Sequence, residues 1–306
     1  MTQRFYKGGF IDLQVNGYGG VSFNSLSLTN RDIASVSQSL LALGTQAYLP
    51  TVVTTSQQAY EHVLPLLAQA MLTSDKQSEA QILGIHLEGP FISSEAGAVG
   101  AHPKQHIREA SISELKHLQD LAGGTIRMIT VAPEKSGMES LIRYAASQGI
   151  IVSVGHTMAD ANDIQMAIEA GATLCTHLGN GCPNMVPRHN NPIWAQLGSK
   201  LNVMIITDGF HLPEPVIRTI IRARSSNQVI VTSDVAPVAG LPPGEYMCIG
   251  TKVRKTPAGR IENLNAPTLA GSSMTMLPCL NHLANLGYEE ELLWKLGRDN
   301  PLAILN

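Results

Sequence analysis

Eight short apolar runs recur along the 306-residue chain and alternate with longer stretches that are compatible with helices. The runs are rich in β-branched residues and predict buried strands at 10–15, 47–53, 83–87, 126–131, 150–154, 172–176, 203–206 and 229–232. Helices are predicted at 32–43, 59–71, 112–121, 138–147, 160–170, 215–224, 275–286 and 289–296. Strands that alternate with helices indicate an α/β fold with parallel strands and helical crossovers.

Both a closed (β/α)8 barrel and a doubly wound open sheet satisfy this alternation. The positions of the polar residues favour the barrel, because Glu88, His156, His177 and Asp234 stand at or just after the ends of four predicted strands. A (β/α)8 barrel gathers its active-site residues at the C-terminal ends of its strands. We therefore predict a TIM barrel, followed by a Pro/Gly-rich excursion at 241–259 and C-terminal helices from about residue 275.

Composition excludes several classes of function. The formal net charge is −3 and the chain has no basic run that could follow a phosphate backbone, so nucleic-acid binding is not expected. No apolar stretch approaches the roughly 20 residues that span a bilayer, and the first seven residues lack the pattern of a signal peptide. No pair among the four cysteines has CxxC spacing, which predicts reduced thiols and a cytoplasmic location.

Glu88, His156 and His177 each offer a nitrogen or oxygen donor at a predicted strand end. Three such ligands with one open coordination position describe a catalytic zinc-type site. The alternative is that they are unrelated polar residues that hydrogen-bond to the backbone of their loops. Their common placement favours a shared metal site.

Asp234 follows the apolar run 229–232 and would therefore lie at the mouth of the barrel. A carboxylate beside a metal site can accept a proton from water and later return it to a leaving group. The alternative interpretation is that Asp234 caps the next helix. His211 and Arg188 are candidate anion binders, although a lone loop arginine is commonly a solvated charge.

His86 lies two residues before Glu88 and shares its strand face, which predicts a hydrogen-bonded histidine in the barrel interior. The chain has no Gly-x-Ser-x-Gly elbow, no Walker loop and no Gly-x-Gly-x-x-Gly unit. Serine-nucleophile and nucleotide chemistry are therefore disfavoured.

Six segments of the chain, in this order, resemble those of the N-acetylglucosamine-6-phosphate deacetylases of the amidohydrolase superfamily. They are Gly9-Phe10-Ile11-Asp12-Leu13-Gln14-Val15-Asn16-Gly17, His86-Leu87-Glu88-Gly89-Pro90-Phe91, Val154-Gly155-His156, Thr176-His177-Leu178, Asp208-Gly209-Phe210-His211 and Leu269-Ala270-Gly271-Ser272-Ser273. The resemblance runs from about residue 8 to the C-terminus. Gln14-x-Asn16 stands where many superfamily members carry a His-x-His metal pair, which implies one principal metal ion.

The resemblance also implies roles for individual residues. Glu88, His156 and His177 match the metal ligands, Asp234 matches the catalytic acid/base, and His102 matches the residue that polarises the acyl carbonyl. Positions that match substrate contacts, largely at its phosphate, are Ala101, Asn180, Gly181, Arg188 and His211. Part of the phosphate site in family dimers comes from the neighbouring subunit, so the resemblance implies a homodimer.

The implied reaction is the metal-dependent hydrolysis of N-acetylglucosamine-6-phosphate to glucosamine-6-phosphate and acetate, with zinc as the expected ion and iron or manganese as alternatives. Deacylation of another N-acyl amino sugar or of a cyclic amide is a second hypothesis, and a non-catalytic barrel that binds a sugar phosphate is a third. Family members usually carry a small β-sandwich domain built from both chain ends. Here we expect a single barrel over residues 1–306 without that domain.

Overall fold

The computed structural model describes residues 9–306, so the N-terminal segment considered above for a signal peptide lies outside the described residues. The strands are β1 (Phe10–Val15), β2 (Gly17–Tyr18), β3 (Val21–Ser22), β4 (Thr45–Val53), β5 (Gln81–Ile82), β6 (Ile85–Glu88), β7 (Ile126–Val131), β8 (Ile151–Val154), β9 (Ala172–Cys175), β10 (Asn202–Ile205), β11 (Val229–Val231), β12 (Gly244–Cys248), β13 (Thr251–Lys255) and β14 (Ile261–Asn263).

The α-helices are α1 (Asn30–Ala42), α2 (Gln57–Thr73), α3 (Ile112–Leu121), α4 (Met138–Ser147), α5 (Ala161–Ala170), α6 (Pro192–Leu197), α7 (Glu214–Ala223), α8 (Met276–Asn285), α9 (Glu290–Trp294) and α10 (Asn300–Leu305). A 3-10 turn lies at Lys104–His106, and a π-helical turn at Lys295–Asp299 joins α9 to α10. Among residues 9–306, no helix combines the length and apolarity needed to cross a membrane.

Eight parallel strands form the barrel wall in the order β1-β4-β6-β7-β8-β9-β10-β11. The two ends of this order meet at the C-terminal end of β1, where Val15 bridges Val235 and the Asn16 amide donates to the Val235 carbonyl at 2.9 Å. Helices connect successive strands around the outside. The predicted (β/α)8 barrel is confirmed, and the open sheet is the wrong alternative.

All eight predicted strands are present, with ends that shift by at most two residues, and α3 and α4 have the predicted bounds. The excursion predicted at 241–259 contains more structure than expected. It holds β12 and β13, which pair with β14 in a separate three-stranded antiparallel sheet. The helix predicted at 289–296 is α9 followed by the π-helical turn.

The lower part of the barrel interior is apolar. Alternate residues of the strands point inward, and they form one cluster to which α10 adds Leu305: Ile11, Leu13, Ala47, Leu49, Met128, Leu174, Met204 and Ile230. A larger apolar layer fills the space between the strands and the outer helices. The barrel is thus a packed core and has its open space only at the strand ends.

A layer of hydrogen-bonded polar side chains lies between this apolar cluster and the barrel mouth. His86 contacts the Thr51 hydroxyl at 3.3 Å and the Thr130 hydroxyl at 2.8 Å, and Thr176 links Thr130 to Ser153 at 2.7 and 2.6 Å. Burial lowers the pKa of His86 to about 4, so this histidine is neutral near pH 7. The structure confirms that His86 is a hydrogen-bonded barrel-interior residue.

We predict that Leu49→Ala lowers the free energy of unfolding by about 2–5 kcal/mol, because Leu49 is fully buried in the inner apolar cluster and truncation leaves a cavity. Leu72→Ala on α2 is the matched control, because Leu72 is 83% exposed and its truncation should change stability by about 0.5 kcal/mol or less. Urea denaturation of both variants measures the difference. Equal losses would contradict the packing assigned to the barrel interior.

Candidate metal centre and active site

The backbone changes direction sharply at three of the predicted site residues. His156 follows β8, His177 follows β9 and Asp234 follows β11, and their φ angles are 49°, 32° and 50°. Residues other than glycine rarely adopt this left-handed conformation, which costs about 1–3 kcal/mol and is concentrated at functional sites. Glu88 reaches the same region as the last residue of β6.

Glu88, His156 and His177 form a buried cluster whose potential ligand atoms all lie within 4.8 Å of one another. Glu88 Oε1 is 3.1 Å from His156 Nε2 and 2.9 Å from His177 Nε2. Gln14 of β1 completes the surroundings of this oxygen by donating its Nε2 hydrogen at 2.9 Å. The three side chains that the sequence predicted as metal ligands are therefore brought together by three different strands.

The electrostatics of the cluster favour a positive charge between these groups. Burial alone would raise the pKa of Glu88, but hydrogen bonds from His156 and His177 outweigh it and hold the pKa well below the usual range. Burial would lower the pKa of His156, yet the hydrogen bond to Glu88 raises it overall. The lowered pKa of Glu88 and the raised pKa of His156 are both typical of a site that stabilises a proton or a metal cation.

The donor set fits a divalent metal ion. His156 Nδ1 lies 2.8 Å from the Ala98 carbonyl and acts as the donor there, so the lone pair of Nε2 faces the cluster when this imidazole is neutral. A carboxylate and two imidazoles are one of the ligand sets of catalytic zinc, with a position left for water or substrate. These residues could therefore hold the metal that the sequence predicts.

Two glycines hold the His156 ring in place. A Cβ atom at position 100 would lie 2.9 Å from His156 Cε1, and one at position 181 would lie 3.0 Å from His156 Nδ1. Both glycines also have positive φ angles, of 58° and 59°. Only glycine lets the backbone approach the imidazole this closely from both loops.

Asp234 shares the mouth of the barrel with the cluster and is held by Asn16. The Asn16 Nδ2 group donates to Asp234 Oδ1 at 2.7 Å, which leaves Oδ2 for another partner. Burial raises the pKa of Asp234 to about 6, with a further contribution from the negative charge of Glu88. A carboxylate with a pKa near neutrality suits general acid/base chemistry.

His102 lies in the loop after β6 and is also buried. Its Nδ1 is 3.0 Å from the Thr54 hydroxyl, and its Nε2 is 3.7 Å from Glu88 Oε2. Burial lowers the pKa of His102 to about 3, so the contact with Glu88 is that of a neutral imidazole. A neutral imidazole can donate one N–H hydrogen bond to a substrate oxygen.

A cavity of about 640 Å³ opens above these side chains and is large enough to hold a small ligand. Its floor includes Asn16, Glu88, His156, His177 and Asp234. Its walls come from the loops after the strands and from β14 with the segment 264–271.

Two curated relatives of this chain share one name. The chain is 35% identical over 291 residues to N-acetylglucosamine-6-phosphate deacetylase of Danio rerio, covering 90% of this chain and 68% of that protein. The chain belongs to the N-acetylglucosamine-6-phosphate deacetylase family. The Bacillus subtilis deacetylase is 34% identical over 278 residues, with 90% and 68% covered. No family model matches the chain.

A solved structure agrees with this family assignment. A mutant of the Mycobacterium smegmatis N-acetyl-D-glucosamine-6-phosphate deacetylase, solved in complex with N-acetyl-D-glucosamine-6-phosphate, superimposes with a TM-score of 0.88 at 27% identity. The match covers 97% of this chain and 77% of that one. The shared part therefore includes nearly all of the chain described above.

The substrate contacts expected for a deacetylase of this family divide into two groups. Ala101, Asn180, Gly181 and His211 line the cavity, and the His211 ring is fixed by Asp208, whose Oδ2 lies 2.8 Å from Nδ1. Arg188 is exposed and does not line the cavity. The contact of Arg188 with substrate stays a prediction.

From the sequence, Gln14 and Asn16 are interpreted only as the replacement of a second metal-ligand pair and Thr54 is given no role, although each contacts a predicted site residue. The Gln14-x-Asn16 spacing is a usable signal, because residues two apart along an extended segment point to the same side, and Asn16 directly follows β1. Thr54 follows β4 and carries no signal in the sequence. Thr54 contacts His102 only because the loop that bears His102 folds back over the end of β4.

We predict that His177→Ala abolishes stable metal binding, because it removes a buried ligand that no neighbouring side chain replaces. Metal analysis after dialysis should give about one divalent ion per chain for the parent protein and a large loss for the variant. His117→Ala is the control, because His117 is exposed on α3 and should leave the metal content unchanged. Full metal occupancy in His177→Ala would refute the ligand assignment.

Proposed function

We propose that this chain hydrolyses the acetamide of N-acetylglucosamine-6-phosphate and releases acetate and glucosamine-6-phosphate. The observation that carries this proposal is the buried Glu88–His156–His177 cluster, with Asp234 and His102 beside it, in a member of the deacetylase family. Acetate release by metal-analysed protein, with N-acetylglucosamine as the unphosphorylated comparison, tests both the reaction and the need for the phosphate.

Glu88, His156 and His177 would hold one divalent cation, which when bound would lower the pKa of a water molecule and polarise the amide carbonyl. Asp234 accepts the proton of the attacking water on Oδ2, since Asn16 occupies Oδ1. The same carboxyl then delivers this proton to the leaving amine nitrogen. The raised pKa of Asp234 allows both transfers near neutral pH.

His102 stabilises the negative charge that develops on the acyl oxygen. With the Thr54 hydroxyl as the donor to His102 Nδ1, which lies 3.0 Å away, the imidazole carries its single proton on Nε2. A hydrogen bond from Nε2 to the acyl oxygen strengthens as charge develops there, and it therefore lowers the barrier.

Zinc is the proposed ion, since a carboxylate with two imidazoles matches a zinc ligand set.

The proposed location is the cytoplasm, which is compatible with the absence of a disulfide among Cys175, Cys182, Cys248 and Cys279 in the described chain. Residues 1–306 are proposed to act as one catalytic barrel.

A homodimer is proposed, with Arg188 contacting the phosphate bound in the cavity of the partner subunit. Arg188 is exposed, and its neighbours Met185 and Trp194 are exposed apolar side chains, at 91% and 53%. Trp194 Nε1 donates to the Arg188 carbonyl at 3.1 Å, so the tryptophan and the arginine belong to one surface. Exposed apolar residues grouped in this way are typical of interfaces.

We predict that Asp234→Asn lowers kcat for N-acetylglucosamine-6-phosphate by about 10²–10⁴-fold or more, because the variant can neither accept nor return the proton. Metal content and substrate binding should be retained, since the amide has nearly the same shape. Asp75→Asn, at an exposed position after α2, should behave as the parent enzyme. Activity of Asp234→Asn within a few-fold of the parent would mean that another group transfers the proton.

We predict that Arg188→Ala raises KM for N-acetylglucosamine-6-phosphate by about 30-fold. This factor corresponds to the loss of roughly 2 kcal/mol of binding free energy from one charge-assisted hydrogen bond. KM for N-acetylglucosamine should change little. If Arg188 acts across the dimer, mixing Arg188→Ala with Asp234→Asn restores low-KM activity. The hybrid dimer then contains one site with an intact Asp234 and an intact Arg188 from the partner. Absence of this complementation would contradict the placement of Arg188 in the partner's site.

A further inference from the structure

Arg260 is a cationic side chain of the cavity to which the sequence motifs assign no role. It immediately precedes β14, in the three-stranded sheet that lies beyond the barrel strands. Among the described residues that line the cavity, it is the only lysine or arginine. The lining also contains the carboxylates Glu88, Asp234 and Glu262. A dianionic substrate therefore meets one permanently positive side chain from this chain.

The turn that carries Arg260 is closed by its own hydrogen bonds and packs closely against neighbouring segments of the site. The Thr256 amide donates to the Arg260 carbonyl at 2.9 Å, and the Arg260 amide donates to the Thr256 hydroxyl at 3.1 Å. Gly259 has a φ of 98°, and a Cβ atom there would lie 2.8 Å from Ser273 Oγ and 3.9 Å from Phe210 Cε2. The turn therefore packs beside Phe210, the neighbour of His211.

The guanidinium of Arg260 keeps most of its hydrogen-bonding capacity. Its one ion-pair partner in residues 9–306 is Glu262, whose Oε1 lies 3.5 Å from Nε. The side chain is 51% exposed, which places it at the rim of the cavity. Both terminal NH₂ groups remain for a ligand, and an arginine presents them in a geometry that matches two phosphate oxygens.

We propose that Arg260 binds the phosphate of the substrate from within the same chain. This inference rests on the proposed function and extends it to the group that selects a phosphorylated sugar. Ile261 is buried in the small core of the sheet, and this anchors the strand that follows Arg260. Arg260 and His211 thus contact the anion from adjoining segments of one wall.

The test is the binding of glucosamine-6-phosphate to metal-loaded protein, measured by calorimetry and therefore independent of turnover. Arg260→Ala should weaken binding about 10-fold or more, the effect expected for one charge-assisted contact at a half-exposed position. Binding of unphosphorylated glucosamine should not change. Arg260→Lys should retain part of the affinity, because it keeps the charge and loses the two-pronged geometry.

Arg254→Ala is the matched control. Arg254 belongs to β13 of the same sheet, is 52% exposed and pairs with Glu245 at 3.0 Å, but it does not line the cavity. Its loss should leave glucosamine-6-phosphate binding within about two-fold of the parent value. Equal binding by Arg260→Ala and Arg254→Ala would overturn the inference.

Kinetics separate this inference from the proposed function. A parent protein that binds glucosamine-6-phosphate through Arg260 but releases no acetate would refute the deacetylase and leave the Arg260 contact standing. A parent protein that deacetylates the phosphorylated sugar, with an unchanged KM in Arg260→Ala, would refute the Arg260 contact alone. Mixing Arg260→Ala with Asp234→Asn should give no complementation, because Arg260 serves the cavity of its own chain.

Discussion

The mouth of this barrel is organised around one buried carboxylate. A carboxylate removed from water costs several kcal/mol unless it is paired and hydrogen-bonded. Glu88 Oε1 alone meets Gln14, His156 and His177, all between 2.9 and 3.1 Å. These partners stand on or after β1, β8 and β9, so the alignment of four strands converges on one atom. The polar layer around His86 supports this arrangement from below.

Much of the fold and of the site could be predicted because the signals are local. Short β-branched runs mark the strands, and the strands end where the apolar run ends. Glu88, His156, His177 and Asp234 could be grouped because parallel strands in a barrel present their C-terminal ends on one face. His86 could be placed in the interior because strand residues two apart share a face. These predictions require only the two-residue periodicity of side chains along a strand and the parallel topology of the barrel.

The remainder depends on contacts between segments far apart in the chain. The hydrogen bond of Thr54 to His102 joins residues 48 positions apart, and no local pattern encodes it. The sequence predicts only an irregular excursion at 241–259, where β12 and β13 lie, because these strands are short and partly exposed.

Gly100 and Gly181 enclose the His156 ring so closely that a side chain at either position would displace it. Substitutions at these two glycines are therefore not tolerated, because each would move His156, a proposed metal ligand. The wall formed by β14 and residues 264–268 has its own small core around Val253 and Ile261, separate from the barrel strands. Substitutions there can reshape the cavity while the strand ends stay in place. Substitutions in this sheet can therefore change which substrate the cavity accepts. The residues that would bind the metal and transfer the proton would remain in place.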